Sequence, residues 1–300
     1  MTSQLTGVLT ALATPFTPEG TVDVPALRRL VDRSIDGGVD GVVACGSTGE
    51  FASLSVEERR LVVETVAGHT AGRVPVVAQT GATSTAEAIS NSLHAQQCGV
   101  DVLMVVAPYY DPLSLGETTH YFRTVAESVD LPVMLYNYPS ATGMNLDPAT
   151  VGKLAREVEN IRYIKDSSGD MGQATQLIHH HSDYISTIVG WDALILSALT
   201  EGAAAVMAGT ANILPREIVA VQRAVAAGDF AAAKSEWDRI YPLIDAILSV
   251  PFVPAVKAAL EILGEPIGTP RRPTADLDAA SVSRIESLLN ELQLVPAAAR

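Results

Sequence analysis

Cysteine is nearly absent: Cys45 and Cys98 are the only two in the chain, too few for a disulfide framework. Positive charge is also short. Lys and Arg number 20 against 34 Asp and Glu, a formal charge of −14 with a pI near 4.8. Nucleic acid and anionic membrane surfaces both reward net positive charge, so neither is an expected partner. No apolar run approaches the ~18 residues that a membrane-spanning helix needs. Met1-Thr2-Ser3-Gln4 lacks the basic stretch and apolar core of a secretory leader. These absences give the expectation of a soluble protein in a reducing, cytoplasmic setting.

Apolar surface, in contrast, is plentiful. At 48% hydrophobic residues and a mean hydropathy of +0.24, the 300-residue chain can bury a large core. That length suits one large α/β domain or two smaller ones.

Taken in order, the chain repeats one strand–helix unit. Gly7-Val8-Leu9-Thr10-Ala11-Leu12 is the first expected strand, stopped by Pro15. Asp23 then caps a helix through Leu27, Leu30, Val31 and Ile35 to Gly37-Gly38. Val42-Val43-Ala44 follows as a strand, and Ser55-Val56-Glu57-Glu58 reads as a capping box opening a helix. The third unit is a strand over 74–78 and a helix opened by a Ser84/Glu87 box. The fourth is a strand over 102–106 and a helix around 118–129. Val133-Met134-Leu135-Tyr136 is the fifth strand, and Asp147-Pro148 opens its helix in the usual cap-then-proline order. The sixth strand, Ile161-Arg162-Tyr163-Ile164-Lys165, ends on a lysine before the turn Ser167-Ser168-Gly169-Asp170. Strands over 187–189 and 204–207 complete the set, with Pro215 opening the last helix.

The strands are near-continuous apolar runs without alternation, the mark of parallel strands buried on both faces. Eight such units in about 225 residues predict an α/β fold of the (β/α)8 TIM-barrel type. The alternative, a doubly wound open sheet, lacks its Gly-x-Gly-x-x-Gly phosphate turn. Beyond Ala227 the pattern is purely helical, over 230–250, 254–263 and 279–292. The expected division is therefore a catalytic barrel, 1–227, and a C-terminal three-helix appendix, 228–300, too modest to fold separately.

Active sites of such barrels sit at the C-terminal ends of the strands. Those positions here hold Thr14, Gly46-Ser47-Thr48-Gly49-Glu50, Pro108-Tyr109-Tyr110, Tyr136-Asn137-Tyr138-Pro139, Lys165, Gly190-Trp191-Asp192 and Gly209-Thr210-Ala211-Asn212. A lysine at a buried strand end has its pKa lowered by desolvation, and the neutral amine can attack a carbonyl to form a Schiff base. A strand-end lysine that simply reaches solvent is the plain alternative. Gly46 and Gly49 let backbone N–H groups approach an anion, and Ser47 and Thr48 add hydroxyl donors, so this turn can hold a carboxylate. Tyr136 lies one strand from Lys165, where a phenol can shuttle protons or merely pack.

Together, Gly46-Ser47-Thr48-Gly49-Glu50, Tyr136-Asn137-Tyr138-Pro139 and Lys165 resemble the dihydrodipicolinate synthase/N-acetylneuraminate lyase family of Schiff-base barrels. The resemblance covers essentially the whole chain, helical tail included. It implies that Lys165 forms an imine with pyruvate or another 2-oxo acid, and that Tyr136 is the proton shuttle. Ser47 and Thr48 are implied to bind the pyruvate carboxylate, with Thr48 also relaying protons to Tyr136. Tyr110 is implied to enter a neighbouring subunit's site, which requires a homo-oligomer, commonly a tetramer built as a dimer of dimers. Met207 falls where a strand-eight carbonyl faces the substrate, beside Gly190 of strand seven.

The chain also departs from the family pattern. Dihydrodipicolinate synthases usually carry an arginine just after Tyr-Asn-x-Pro for the carboxylate of aspartate semialdehyde, and here Ala141 takes its place. Ser167, Asp192 and Thr210 are suited to the hydroxyls of a polyhydroxy aldehyde, although Ala193 stands where sialic acid lyases have a glutamate. The sequence-based expectation is thus a pyruvate-dependent lyase acting on a 2-oxo-3-deoxy sugar acid or similar 2-oxo acid. Dihydrodipicolinate synthase activity, and a catalytically idle 2-oxo acid binder, are the alternatives. No His-x-His ends a strand and no acidic cluster faces the site, so no metal and no cofactor is expected. His179-His180-His181 sits late in a helix, where adjacent histidines cannot all face one ion. Cys45 reads as a small buried residue.

Overall fold

The computed structural model describes residues 5–296. It is a closed barrel of eight parallel strands in sequential order, with β8 returning to pair with β1. The first half runs β1 (Gly7–Ala11), α1 (Val24–Asp36), β2 (Gly41–Ala44), α2 (Val56–Thr70), β3 (Val76–Gln79), α3 (Thr85–Gln97), β4 (Val102–Val106) and α4 (Leu115–Ala126). The second half opens with β5 (Val133–Asn137), α5 (Pro139–Thr142), α6 (Pro148–Glu157), β6 (Ile161–Asp166) and α7 (Met171–His181). It closes with β7 (Ser186–Val189), α8 (Ile195–Glu201), β8 (Ala205–Ala208) and α9 (Pro215–Ala226). Three helices follow: α10 (Phe230–Leu248), α11 (Phe252–Ile262) and α12 (Ala279–Glu291).

Every residue of β1 to β5 and of β8 is buried, which is why these strands read as unbroken apolar runs. The caps explain most helix starts. Asp23 accepts from the Ala26 N–H, and complete capping boxes form at Ser55/Glu58 and Ser114/Glu117. The Ser114 box starts α4 three residues earlier than the apolar spacing predicts. At Ser84 the expected box is half made: its hydroxyl accepts from the Glu87 N–H, but the Glu87 carboxylate lies 3.7 Å from Arg59. The lysine strand runs one residue further than expected, through Asp166, because β6 keeps its register with β7 to that point.

The C-terminal helices share the barrel's core, with Ile240, Ile244, Ile247, Val256 and Leu260 buried in the same apolar cluster as the strands. α11 also crosses the C-terminal mouth of the barrel, where Lys257 meets Glu50. Among the described residues, no helix is long and apolar enough to cross a membrane.

Candidate active site

A cavity of about 850 Å³ opens at the C-terminal mouth of the barrel, the end at which such folds hold their chemistry. Lys165 stands on its floor, 5% exposed, and is the register partner of Tyr136 on the adjacent strand. Its Nζ lies 4.2 Å from the centroid of the Tyr136 ring, a cation–π distance. Tyr136 stacks on Tyr138 with ring planes 9° apart, which fixes the phenol's direction. Gly190, after β7, leaves room for the lysine, which a side chain there would have to displace. A Cβ there would collide with both Lys165 Cε and Ser167 Oγ.

The turn after β2 brings the hydroxyl donors. Gly49 N–H donates to Gly46 O and Glu50 N–H to Ser47 O, both at 3.0 Å, while the Thr14 hydroxyl donates to Gly49 O at 2.7 Å. Cys45 and Glu50 bracket the turn at φ of +57° and +56°. For residues with a Cβ this left-handed conformation costs roughly 1–2 kcal/mol each. The result is that Ser47 Oγ reaches 3.2 Å from the Tyr136 hydroxyl. The expectation that Thr48 makes this link is corrected. Thr48 lines the cavity beside Gly209, where a Cβ would come within 2.9 Å of Thr48 Oγ1.

Ser167 and Met207 also line the cavity, and the Ser167 hydroxyl donates to Gly190 O at 3.0 Å. Asp192 lines it too, but its oxygens are engaged. They accept from Thr210 N–H at 2.7 Å, Thr210 Oγ1 at 2.5 Å and Gly209 N–H at 3.4 Å. Burial pushes the Asp192 carboxyl above its usual range, against the Thr210 and Gly209 hydrogen bonds and the charge of Lys165. Thr210 is fully buried, with its hydroxyl committed to Asp192, so the expectation that it meets a substrate hydroxyl is also corrected. It orients Asp192 instead.

Tyr110 is 84% exposed and does not line the cavity; its neighbour Tyr109 does, edge-on to Phe51. Several wall residues come from outside the strand ends, among them Asp245 of α10 and Phe252 of α11. Their sequence carries no sign of this, since a helical tail shows no register with the barrel mouth. Asp166 is a second residue that strand-end inspection passes over. Its carboxylate is raised by burial, against bonds from Asn137, Ser168 and Gln173.

Among the described residues lining the cavity, Lys165 is the one basic side chain, and Glu50, Asp192 and Asp245 are the acidic ones. Ala141 is on this wall, at the expected arginine position, on the short helix α5. Away from the cavity, Glu64, His94 and Cys98 come within 4.8 Å of one another. The Cys98 thiol is almost equidistant from both ring nitrogens, at 3.7 and 3.9 Å, and Glu64 already takes Nε2 at 3.0 Å. The thiol is thus off the nitrogen's lone-pair axis, and the group is a histidine–carboxylate contact with a thiol beside it. His179 pairs with Glu201, separately from its neighbours.

A parallel eight-stranded barrel holding a buried lysine beside a phenol at its C-terminal mouth defines the class of lysine Schiff-base aldolases. The sequence matches the Dihydrodipicolinate synthetase family over residues 4–292, and the chain belongs to that family. It is a class I, pyruvate-dependent lyase/aldolase. The 4-hydroxy-tetrahydrodipicolinate synthase of Syntrophus aciditrophicus (strain SB) is 38% identical over 290 residues, covering 96% of this chain and 99% of the relative. That of Methanocaldococcus jannaschii is 36% identical over 289 residues, covering 96% and 99%. Among solved structures, YagE, a prophage protein of the dihydrodipicolinic acid synthase family from E. coli K12 in complex with pyruvate, superposes with a TM-score of 0.93. It is 34% identical, with 97% of this chain and 100% of that chain covered.

Proposed function

We propose that Lys165 is the Schiff-base lysine and that Tyr136 and Ser47 form its proton relay. The observation that carries this is the juxtaposition of amine, phenol and serine hydroxyl: 4.2 Å from Nζ to the Tyr136 ring and 3.2 Å from Tyr136 hydroxyl to Ser47 Oγ. The neutral amine adds to the keto carbon of pyruvate to give a carbinolamine. The Tyr136 phenol protonates the departing hydroxyl, and water leaves with formation of the imine. The Tyr136 phenolate left by that step takes back a methyl proton from the imine, giving an enamine. Its carbon attacks the acceptor aldehyde, whose oxygen takes up a proton as the new C–C bond forms; cleavage is the reverse. Ser47 and Thr48, through their hydroxyls and their own backbone N–H groups, hold the pyruvate carboxylate, and Ser167, Gly190, Asp192 and Met207 shape the wall around the reacting carbons. The division proposed is a catalytic barrel, 1–227, and an extension, 228–300, whose Asp245 and Phe252 help to complete the cavity rim. Tyr110 is offered to a neighbouring subunit in a homo-oligomer. The proposed compartment is the cytoplasm, in keeping with two cysteines that are both free.

For the acceptor, the names of the relatives support 4-hydroxy-tetrahydrodipicolinate synthase chemistry ahead of the sugar-acid cleavage to which the sequence points. Condensation of pyruvate with aspartate semialdehyde is therefore the reaction proposed first. A second reading, a neutral polyhydroxy aldehyde, is favoured by one observation: Ala141 leaves the described wall without a guanidinium for an acceptor carboxylate. Pyruvate consumption against a panel of aldehydes separates the two. Aspartate semialdehyde as the best acceptor supports the synthase reading, and a sugar-derived aldehyde favoured by a wide margin overturns it.

A further inference from the structure

The Gly46–Glu50 turn, which ends on the left-handed Glu50, is tied to residues from far along the chain. Glu50 Oε1 lies 2.8 Å from Lys257 Nζ, and Glu50 Oε2 accepts from the backbone N–H of Arg271 at 2.8 Å. With one oxygen on each partner, the carboxylate cannot rotate without losing one of them. Lys257 is 3% exposed and donates also to the carbonyls of Thr14 at 3.0 Å and Thr269 at 3.1 Å. Two of the ammonium's three protons go to these carbonyls, and Glu50 Oε1 meets it as an ion-pair contact rather than a hydrogen bond. The same Nζ lies 4.2 Å from the centroid of the Phe16 ring. Burial lowers the Lys257 pKa, and the Glu50 carboxylate opposes that fall.

α11 touches the site a second time. A Cβ on Gly209 would lie 2.5 Å from the Phe252 ring and 2.9 Å from Thr48 Oγ1, so Phe252, Gly209 and Thr48 form one close-packed contact. Thr14, whose carbonyl Lys257 holds, donates its hydroxyl to Gly49 O inside the turn. One ammonium therefore ties the end of the first strand and the hydroxyl-bearing turn to the helical tail. Lys257 itself does not line the cavity, so it acts through the turn.

We propose that Lys257 and Glu50 are positioning residues: their buried pair locks the turn so that Ser47 and Thr48 face the carboxylate of the 2-oxo acid. The proposal rests on the reading that this turn holds that carboxylate. A buried ion pair is a weak source of net stability, since two apolar residues of similar volume often replace it at little cost. That property separates a positioning role from a packing role.

The experiment measures the pyruvate concentration that gives half-maximal borohydride trapping, together with the thermal midpoint, for four proteins. These are the wild type, Glu50→Gln, Lys257→Met and the double variant Glu50→Leu/Lys257→Met. The double variant is expected to recover most of the thermal midpoint lost in Lys257→Met, yet to need about tenfold more pyruvate than the wild type. Turnover at saturating pyruvate should change much less than the half-saturating concentration. Glu50→Gln keeps the side chain's shape and its bond from Arg271 but leaves the buried ammonium without its carboxylate. Its thermal midpoint is therefore expected to fall below that of the double variant, in which both charges are gone. Glu50→Gln should raise the half-saturating concentration several-fold. Wild-type half-saturation in Glu50→Gln and in the double variant overturns the proposal and leaves the pair a packing element. Failure of the wild type itself to trap pyruvate on Lys165 overturns the underlying functional reading instead.

Discussion

Ser47 Oγ and the Tyr136 hydroxyl meet at 3.2 Å across the barrel mouth, from strands three apart in the sheet. Nothing local brings them together. The closure of the barrel sets the distance, and the two left-handed residues at 45 and 50 aim the serine. If this contact is the relay, Tyr136→Phe should lower turnover by roughly 10²–10⁴, the range of general acid–base groups. Ser47→Ala removes one hydrogen bond and should cost on the order of tenfold. Steady-state kinetics at saturating pyruvate checks both, and a Tyr136→Phe enzyme with near-full turnover would assign the phenol to packing.

Ala141 supplies a gain-of-function test. An arginine there would place a guanidinium on a wall that has none among the described residues. A charged hydrogen bond contributes about 1.5–3 kcal/mol, so Ala141→Arg should raise kcat/KM for aspartate semialdehyde by roughly ten- to a hundredfold. An unchanged value would mean that the acceptor's carboxylate is neutralised by another group.

Asp192 makes stability depend on pH. Burial raises its pKa above the ordinary 3.8, so the native state binds more protons than the unfolded chain in the interval above that value. Its contribution is therefore full below the unfolded pKa and is lost as pH rises through the folded pKa. Asp166, raised for the same reason, acts in the same direction. Urea midpoints measured over a pH series should show a shallower decline above 3.8 for Asp192→Asn than for the wild type. A steeper decline would show that the carboxyl is not raised by its burial.

How much of this was legible in the sequence follows from where each feature is encoded. Strands buried on both faces must be apolar throughout, so the eight units and their order could be read directly, and Lys165 and Tyr136 stood out as polar groups at strand ends. The direction of a side chain within a turn has no such signature. Ser47 and Thr48 are adjacent and chemically alike, and it is the three-dimensional path of the turn, left-handed at Cys45 and Glu50, that brings Ser47 to Tyr136. Thr210 looked available because its partner, Asp192, arrives from another strand's loop. Phe252 and Asp245 line the mouth because α10 and α11 fold back over it, a tertiary event their helical periodicity does not announce.

Tyr110 bears on assembly. At 84% exposure it is, among the described residues, the most exposed of the large apolar and aromatic side chains, close in sequence to Tyr109 on the cavity wall. Placed in a subunit interface, it would lose most of that exposure. Light scattering across a dilution series, run in parallel with activity, should show activity falling as the oligomer dissociates. A fully active monomer would contradict the interface role.

The most direct test of the central claim is borohydride reduction of the enzyme with pyruvate, followed by peptide mapping. The account predicts a stable adduct, the mass of reduced pyruvate, on Lys165. No adduct, or one mapped to another lysine, would contradict it.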